Sequence, residues 1–435
     1  MTERQPTPEG AILVAIDVAK HRNEVLIETP GRKRRRRITV PNTLEEHDRL
    51  VALLTGLDGP VVAGFEATGN HHRPLAHRLL VAGVELRLIS SLALARTREA
   101  ITNGWDKNDP KDAQIILRML RIGAVQRYHD PLAHGLVDVQ ELSKTHDMVS
   151  RAKTELWHRL LTHYLPLYFP EAERFRGNAR SDWFLAFLEA FPTPASITAL
   201  DKEAFIAAAW DVVGRKVSKR RLLSDVYETA SGSIGLPVPP DSEAVALVGP
   251  MPHRGLGRPS SLRLVLAEGR GLIRQRDAIE RRAEELLAHD ADDQRLRTMP
   301  GVGPINALTI LAEAGDLRRF RHHRQFLKLG RSRPRHPPVG HLPRPDPPVE
   351  VRQRSSSAHL SRIAGQVAIR QRDNGFRDKF ERYVARDRSS ADLRRKALAA
   401  IAAKMARTAH AIIKAGVDYR PFFDRAVPGG RTPLC

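Results

Sequence analysis

Between residues 10 and 125, short apolar runs alternate with longer stretches whose apolar residues recur every three or four positions. The runs Ile12–Val18, Glu24–Glu28, Arg36–Val40, Val61–Glu66 and Val84–Ser90 have the length and apolar content of strands. Helical spacing marks Thr43–Leu57, His72–Val81 and Asp109–Leu120. The pattern predicts one α/β domain over residues 10–125.

From about 130 to 290 the chain turns helical and charged, with proline-rich interruptions near 236–240 and 248–253. Leu136–Leu165 and Leu262–Leu287 carry apolar residues at helical spacing, among them Leu272, Ile273, Ile279, Leu286 and Leu287. They are expected to be long helices that pair within the chain or between protomers. Residues 130–290 thus read as a helical linker, and 296–416 as a mostly α C-terminal domain. There, Thr298-Met299-Pro300-Gly301-Val302-Gly303-Pro304 introduces an apolar helix, Ile305–Ala314. Gly301 and Gly303, placed before a helix, can present backbone N–H groups to a phosphate. A tight interhelix turn is the plainer alternative, and no lysine stands where a nucleotide-hydrolysing loop needs one. Ile363–Gly416 is again helical and strongly basic, with Arg394, Arg395, Lys396, Lys404 and Arg407 among its cations. A solvated face is the default for such a segment, and a nucleic-acid groove the functional reading.

Four carboxylates change the picture. Asp17 sits in an apolar strand, Glu66 ends another, and Asp109 and Asp112 open the third helix at i and i+3, on one face. A charge inside a hydrophobic strand is costly unless paired or metal-bound. Singly, each acid has a plain reading: Asp109 before Pro110 is a good N-cap, and Asp112 an ordinary first-turn acid. Together, in one β/α pattern, they read as a divalent-metal nuclease centre. Three strands, a helix, a strand, a helix, a strand and a last helix is the order expected of a ribonuclease-H-like fold, which gathers its acids at adjacent strand ends and on the last helix.

Charge supports a polyanionic partner. Lys and Arg number 71 against 50 acids, a formal charge of +21, which predicts salt-sensitive attraction to nucleic acid. The run Arg32-Lys33-Arg34-Arg35-Arg36-Arg37 falls in the hairpin between the second and third strands. It is expected to touch phosphate backbone through Arg34, Arg35 and Arg36, beside the nuclease-like centre. Aromatics make up 5% of the chain, which argues against a base-stacking platform. The single cysteine is Cys435, so neither an intrachain disulfide nor a cysteine zinc site is available. No secretion signal or run of membrane-spanning length is found, so a soluble, cytoplasmic, nucleoid-associated protein without membrane contact is expected.

The strings Ala15-Ile16-Asp17-Val18-Ala19-Lys20, Glu66-Ala67-Thr68-Gly69 and Asp109-Pro110-Lys111-Asp112-Ala113 resemble the DEDD-type insertion-sequence transposases, the IS-one-ten family related to the Piv invertase. Pro300–Pro304 with its helix, Asn374–Arg382 and Ala402–His410 look like that family's C-terminal transposase domain. The resemblance implies a RuvC-like N-terminal domain, a coiled-coil linker and a C-terminal domain with a serine nucleophile. It implies recombination of donor and target DNA ends, directed in some members by a structured bridge RNA; a homo-oligomer is the expected working form. Carried over by motif, Asp17, Glu66, Asp109 and Asp112 would bind Mg²⁺ or Mn²⁺, hard ions that favour oxygen ligands.

The serine-bearing part of the family pattern, roughly Gln-Ser-Gly and later Ser-Lys-x-Gly-Asn-x-x-Leu-Arg, is missing. Arg331–Arg362 is instead rich in Pro and Arg, with seven of the 30 prolines between 331 and 348; such a segment forms neither helix nor central strand. Read one nucleotide forward from Arg335 to Leu360, the degenerate codons permit ATHQSGTFRGQTRLSKYGNARLRRT. The first base of each shifted codon, and nearly always the third, is set by the observed residues, while the middle base is mostly free. The serine codon straddles Val339 and Gly340. Two compensating frameshifts are therefore expected to have replaced the serine segment, leaving no serine nucleophile; Ser355-Ser356-Ser357 are by-products of the shift. The leading expectation is a DNA transposase impaired in strand transfer. The alternatives are a metal-dependent structure-specific nuclease and a nucleic-acid-binding remnant without catalysis.

Overall fold

The computed structural model describes residues 7–67, 69–91, 93–95, 97, 109–176, 183–213, 218–238, 262–329, 365–372 and 374–420, without the side chains of 109–111, 263 and 327–329. The proline-rich segment 331–362 lies outside the described residues. Two compact units divide at Val137.

The first unit is built on a mixed six-stranded sheet. Its strands are β1 (Ile12–Asp17), β2 (Arg22–Glu28), β3 (Arg36–Pro41), β4 (Val61–Glu66), β5 (Glu85–Ile89) and β6 (Gln126–Arg127), in spatial order β3-β2-β1-β4-β5-β6. The first three pair antiparallel as a meander, β4 and β5 join β1 in parallel, and β6 closes the edge antiparallel to β5. Helix α1 (Leu44–Thr55) starts where the Thr43 hydroxyl accepts from the Glu46 N–H, supplying one of the bonds that first-turn amides lack. Helix α2 (Arg73–Val81) opens with Pro74 in its first turn. The predicted strands and helices of this unit agree with these elements to within two residues at each end, as the 2.0 and 3.6 periods require. β6 was not anticipated, because two residues are too few to show a period.

Alternation divides the sheet into two buried faces. Ile12, Val14, Ile16, Val25, Ile27, Ala63 and Phe65 face one core with residues of α1 and α2. Leu13, Ala15, Leu26, Val62 and Ile89 face the other, covered by α3 (Asp109–Arg121) through Ala113, Ile116, Leu117 and Leu120. Gly64 lies under that helix: a Cβ there would sit 2.7 Å from a Leu120 methyl. Leu120 is fully buried, so it has little room to yield. Gly64→Val should lower stability by about 1–3 kcal/mol through overpacking and displace α3; a denaturant midpoint equal to that of the parent chain would refute this close contact.

The second unit is helical. Helix α4 (Val137–Arg159) runs on through a π turn at Leu160–Tyr164 to Tyr168. After it come α5 (Trp183–Ala190), α6 (Pro194–Thr198), α7 (Lys202–Ala209) and α8 (Lys219–Ser231). Helix α9 (Leu262–Leu287) returns antiparallel to α4. His146 lies 3.8 Å from Glu280, Arg159 donates to Glu268 at 2.9 Å, and Gly269 lets Leu156 and Leu185 approach. Of the two pairings open from the sequence, the one within the chain is observed. The linker reading also understates this region. Residues between Leu156 and Ile273 enclose an aromatic core with Trp157, Tyr164, Phe169, Phe184, Phe187 and Phe205.

A second core in this unit gathers Ala283, Leu287 and the later helices α10 (Ala291–Arg297), α11 (Pro304–Ala314), α12 (His323–Leu329), α13 (Gly375–Val384) and α14 (Ala391–Ala415). Asn374 caps α13 by accepting from the Phe376 and Arg377 amides, and Ser390 caps α14 from Leu393. Among the described residues, no helix is long and apolar enough to cross a membrane.

Candidate metal centre and nucleic-acid contacts

Asp17 is the last residue of β1 and keeps the parity of Leu13 and Ala15, so it projects from the face that α3 covers. Glu66 ends β4 and keeps the parity of Val62 and Gly64. Because Ile16 pairs with Phe65 in the parallel ladder, the two acids stand at adjacent strand ends, about 4.8 Å apart in the pairing direction. Asp112 lies buried in the first turn of α3. The axis of α3 runs from these strand ends toward their starts. Arg121 at its last turn bonds Glu28, which is paired with Leu13 near the start of β1. Nine residues of helix rise about 13.5 Å from Arg121 back to Asp112. Four residues of strand span about 13 Å from Leu13 to Asp17. Asp112 therefore comes level with Asp17.

A fourth acid joins this row. Glu24 is the ladder partner of Asp17 on β2 and is buried. Its two oxygens accept from Arg37, at 3.1 and 3.2 Å, and from Thr39, at 2.8 Å. Glu24, Asp17 and Glu66 thus line up across β2, β1 and β4 on one face. Three carboxylates at such spacing repel one another, and Arg37 offsets the charge of the one at the edge. The sequence reading passed over Glu24, although a polar residue in phase with Leu26 on a strand start was the available signal.

The loop after Glu66 is held from the other face. Gly69 takes a positive φ of 52°, which glycine adopts without strain. The buried His72 ring packs between Phe65 at 5.5 Å and Tyr128 at 5.9 Å. Burial pushes the His72 ring down to about 4 and the Tyr128 phenol up to about 12, so both are neutral at working pH. Neither residue was singled out from the sequence; a histidine and a tyrosine 56 positions apart carry no local pattern.

The carboxylates offer only oxygen donors, the chemistry a hard divalent ion prefers, and Asp17, Glu66 and Glu24 stand toward one end of one face. Among the described residues, no three His, Cys, Asp or Glu side chains form a closed ligand cluster. Asp109, the remaining sequence candidate, starts α3, and its side chain lies outside the described residues.

The basic run falls elsewhere than expected. The β2–β3 hairpin that carries it adjoins Glu28 and Leu13, so Arg34 and Arg35 lie at the end of the sheet opposite Asp17 and Glu66. Pairing alternates direction with each strand, and the hairpin after β2 must emerge where β1 begins. Arg35 donates to Glu28 at 2.9 Å, and Arg36 is exposed on β3, opposite Ile27. Only Arg37 reaches back toward the acids, through Glu24. Gly301 and Gly303 lie in the second unit. Gly301 is buried with a φ of 81°, and its carbonyl accepts from the Asn306 side chain at 3.0 Å. Gly303 is the extended N-cap residue of α11.

A transposase family model of the DEDD class of IS110 matches residues 14–170, the stretch holding all four sequence-candidate acids. A second, described as "Transposase IS116/IS110/IS902 family", matches residues 293–336, the stretch holding Gly301 and Gly303. A curated protein of Sinorhizobium fredii named "Putative transposase y4uE" is 24% identical over 140 residues, 31% of this chain and 38% of that protein. The match thus spans under two-fifths of that relative's length. Two models of one family, met in order along the chain, with the first spanning the strand-end acids, make this chain similar to the IS110 family of transposases.

Proposed function

We propose that the chain is a DNA transposase whose first unit is a ribonuclease-H-like catalytic domain performing metal-dependent strand cleavage. What supports this reading is that Asp17 and Glu66 end paired strands on the face that α3 covers, and that Asp112 is buried in the first turn of α3. Asp17, Glu66 and Asp112, with Asp109, would hold Mg²⁺ or Mn²⁺. Such an ion polarises a phosphate and balances the charge that develops on it. The protein's own part is positional. Strand pairing fixes the spacing of two acids, α3 brings the third, and Arg37 with Thr39 holds Glu24 turned toward β3. His72 and Gly69 shape the loop that follows Glu66.

Donor and target DNA ends are the proposed substrates, with a structured RNA as guide and a homo-oligomer as the working form. Arg34, Arg35, Arg36, Gly301 and Gly303 are the proposed nucleic-acid contacts. We further propose that this copy lacks strand transfer, because a frameshifted segment stands where the family carries its serine. The C-terminal family match runs to residue 336 and the alternative frame opens at Arg335, which supports that reading. The same observation favours a second reading, a metal-dependent nuclease that hydrolyses without rejoining, since hydrolysis needs the acids alone. Cleavage of labelled DNA carrying the element ends tests the proposal. EDTA should abolish cleavage, and Mg²⁺ or Mn²⁺ should restore it; undiminished cleavage in EDTA would remove the metal from the mechanism.

A further inference from the structure

At the end of the sheet away from the carboxylates, a pocket of about 430 Å³ opens between the β2–β3 hairpin and the last turn of α3. Gly31, Arg32, Lys33, Arg35 and Arg121 line it around Glu28. Its charge is lopsided, with four cations against one carboxylate. That carboxylate is already engaged. Arg121 Nε donates to one Glu28 oxygen at 2.7 Å, Arg121 Nη2 and Arg35 Nε donate to the other, and Arg121 first, then Arg35, lower the acid's pKa against the opposing effect of burial. Arg32 and Lys33 are exposed and make no ion pair among the described residues. Gly31 takes a φ of 77°, with nothing within 4 Å of where a Cβ would stand, so the turn folds back without closing the pocket.

Glu28 orients two guanidinium groups and neutralises only part of them, while two further cations wait at the rim. Arginine forks placed in this way match phosphate oxygens. No aromatic side chain lines the pocket, so it has no surface for stacking an unpaired base, the usual device for single strands. It lies about 13 Å from Asp17 along β1, too far for one phosphate to touch both.

We propose that this pocket is an anchoring site for the sugar–phosphate backbone of a double helix, gripped without regard to sequence and separate from the phosphate to be cut. Only the ligand class rests on the reading of the chain as a nucleic-acid enzyme; the site itself rests on the geometry of the hairpin and α3.

The test uses the full chain carrying Asp17→Asn, so that cleavage plays no part, with and without Arg32→Ser and Lys33→Ser. Binding of a 30-base-pair duplex DNA of arbitrary sequence, and of the matching duplex RNA, is followed from low to high salt. Each lost phosphate contact lowers the log–log salt slope by about 0.9. The double substitution is therefore expected to lower it by nearly two units, equally for unrelated sequences. A fall with DNA or with RNA supports the site and names its source. Unchanged slopes on both duplexes, or weakening confined to single-stranded oligonucleotides, would overturn it. Since the readout is binding, an inactive parent chain with a falling slope would sink the cleavage reading and leave the site standing.

Discussion

Asp17→Asn is expected to cut strand cleavage about a thousand-fold while leaving duplex binding within about twofold. The size follows from what an oxygen ligand does for a hard ion: losing several kcal/mol of charge stabilisation, at 1.36 kcal/mol per factor of ten, gives about three decades. The amide keeps the shape of the side chain, and removing one charge from the row of Glu24, Asp17 and Glu66 eases repulsion, so stability should hold or rise. Glu24→Gln supplies the contrast. Glu24 is committed to Arg37 and Thr39, so its loss should act mainly through folding, leaving the exposed Arg37 guanidinium and the Thr39 hydroxyl with a weaker partner on a buried side chain. Cleavage that survives Asp17→Asn at the parental rate, with metal dependence intact, would remove this end of the sheet from catalysis.

The second large effect concerns the proposed loss of the serine nucleophile. Replacing residues 335–360 by the alternative-frame string is expected to turn a chain that makes no covalent joint with DNA into one that does. The joint should appear as a protein band shifted by labelled DNA and resistant to denaturant, and it should vanish when the serine of the restored Gln-Ser-Gly is made alanine. The chemical reason is that a serine ester of phosphate conserves the energy of the broken bond for rejoining, which hydrolysis does not. A restored chain that cleaves without ever forming the joint would favour the hydrolytic reading. Sequencing the locus gives an independent check, since a clean codon set for residues 331–362 with no nearby insertion or deletion relative to intact copies would defeat the frameshift.

Much of the first unit was legible because its information is local. A strand buried on both faces, such as Ile12–Asp17, announces itself by apolar continuity, and Asp17 stands out within it. What escaped depends on contacts between distant residues. The placement of the basic hairpin follows from strand direction, which periodicity alone leaves undetermined, and so the expected closeness of Arg34 and Arg35 to the acids did not hold. Glu24 became visible only when the ladder set it opposite Asp17. The aromatic core around Phe187 and Phe205 was read as charged helix because its rings are spread from Trp157 to Tyr227 and meet only in three dimensions. His72 belongs to the same class, since Phe65 precedes it but Tyr128 does not.

The antiparallel pairing of α4 and α9 has a consequence for how this protein can vary. Arg159 and Glu268, joined at 2.9 Å, mark the two points where the chain leaves the paired helices and comes back. Among the described residues, the stretch between them begins and ends at this pair, with Arg270 donating to Glu189 close by. With its ends held together, the aromatic tip costs little additional loop-closure entropy however long it is, since each doubling adds only about 0.6 kcal/mol. Lengthening, shortening or exchanging that tip would leave the core around Leu287 and Leu308 where it is. That pairing makes this stretch of the chain an appendage that evolution or engineering can replace as a piece.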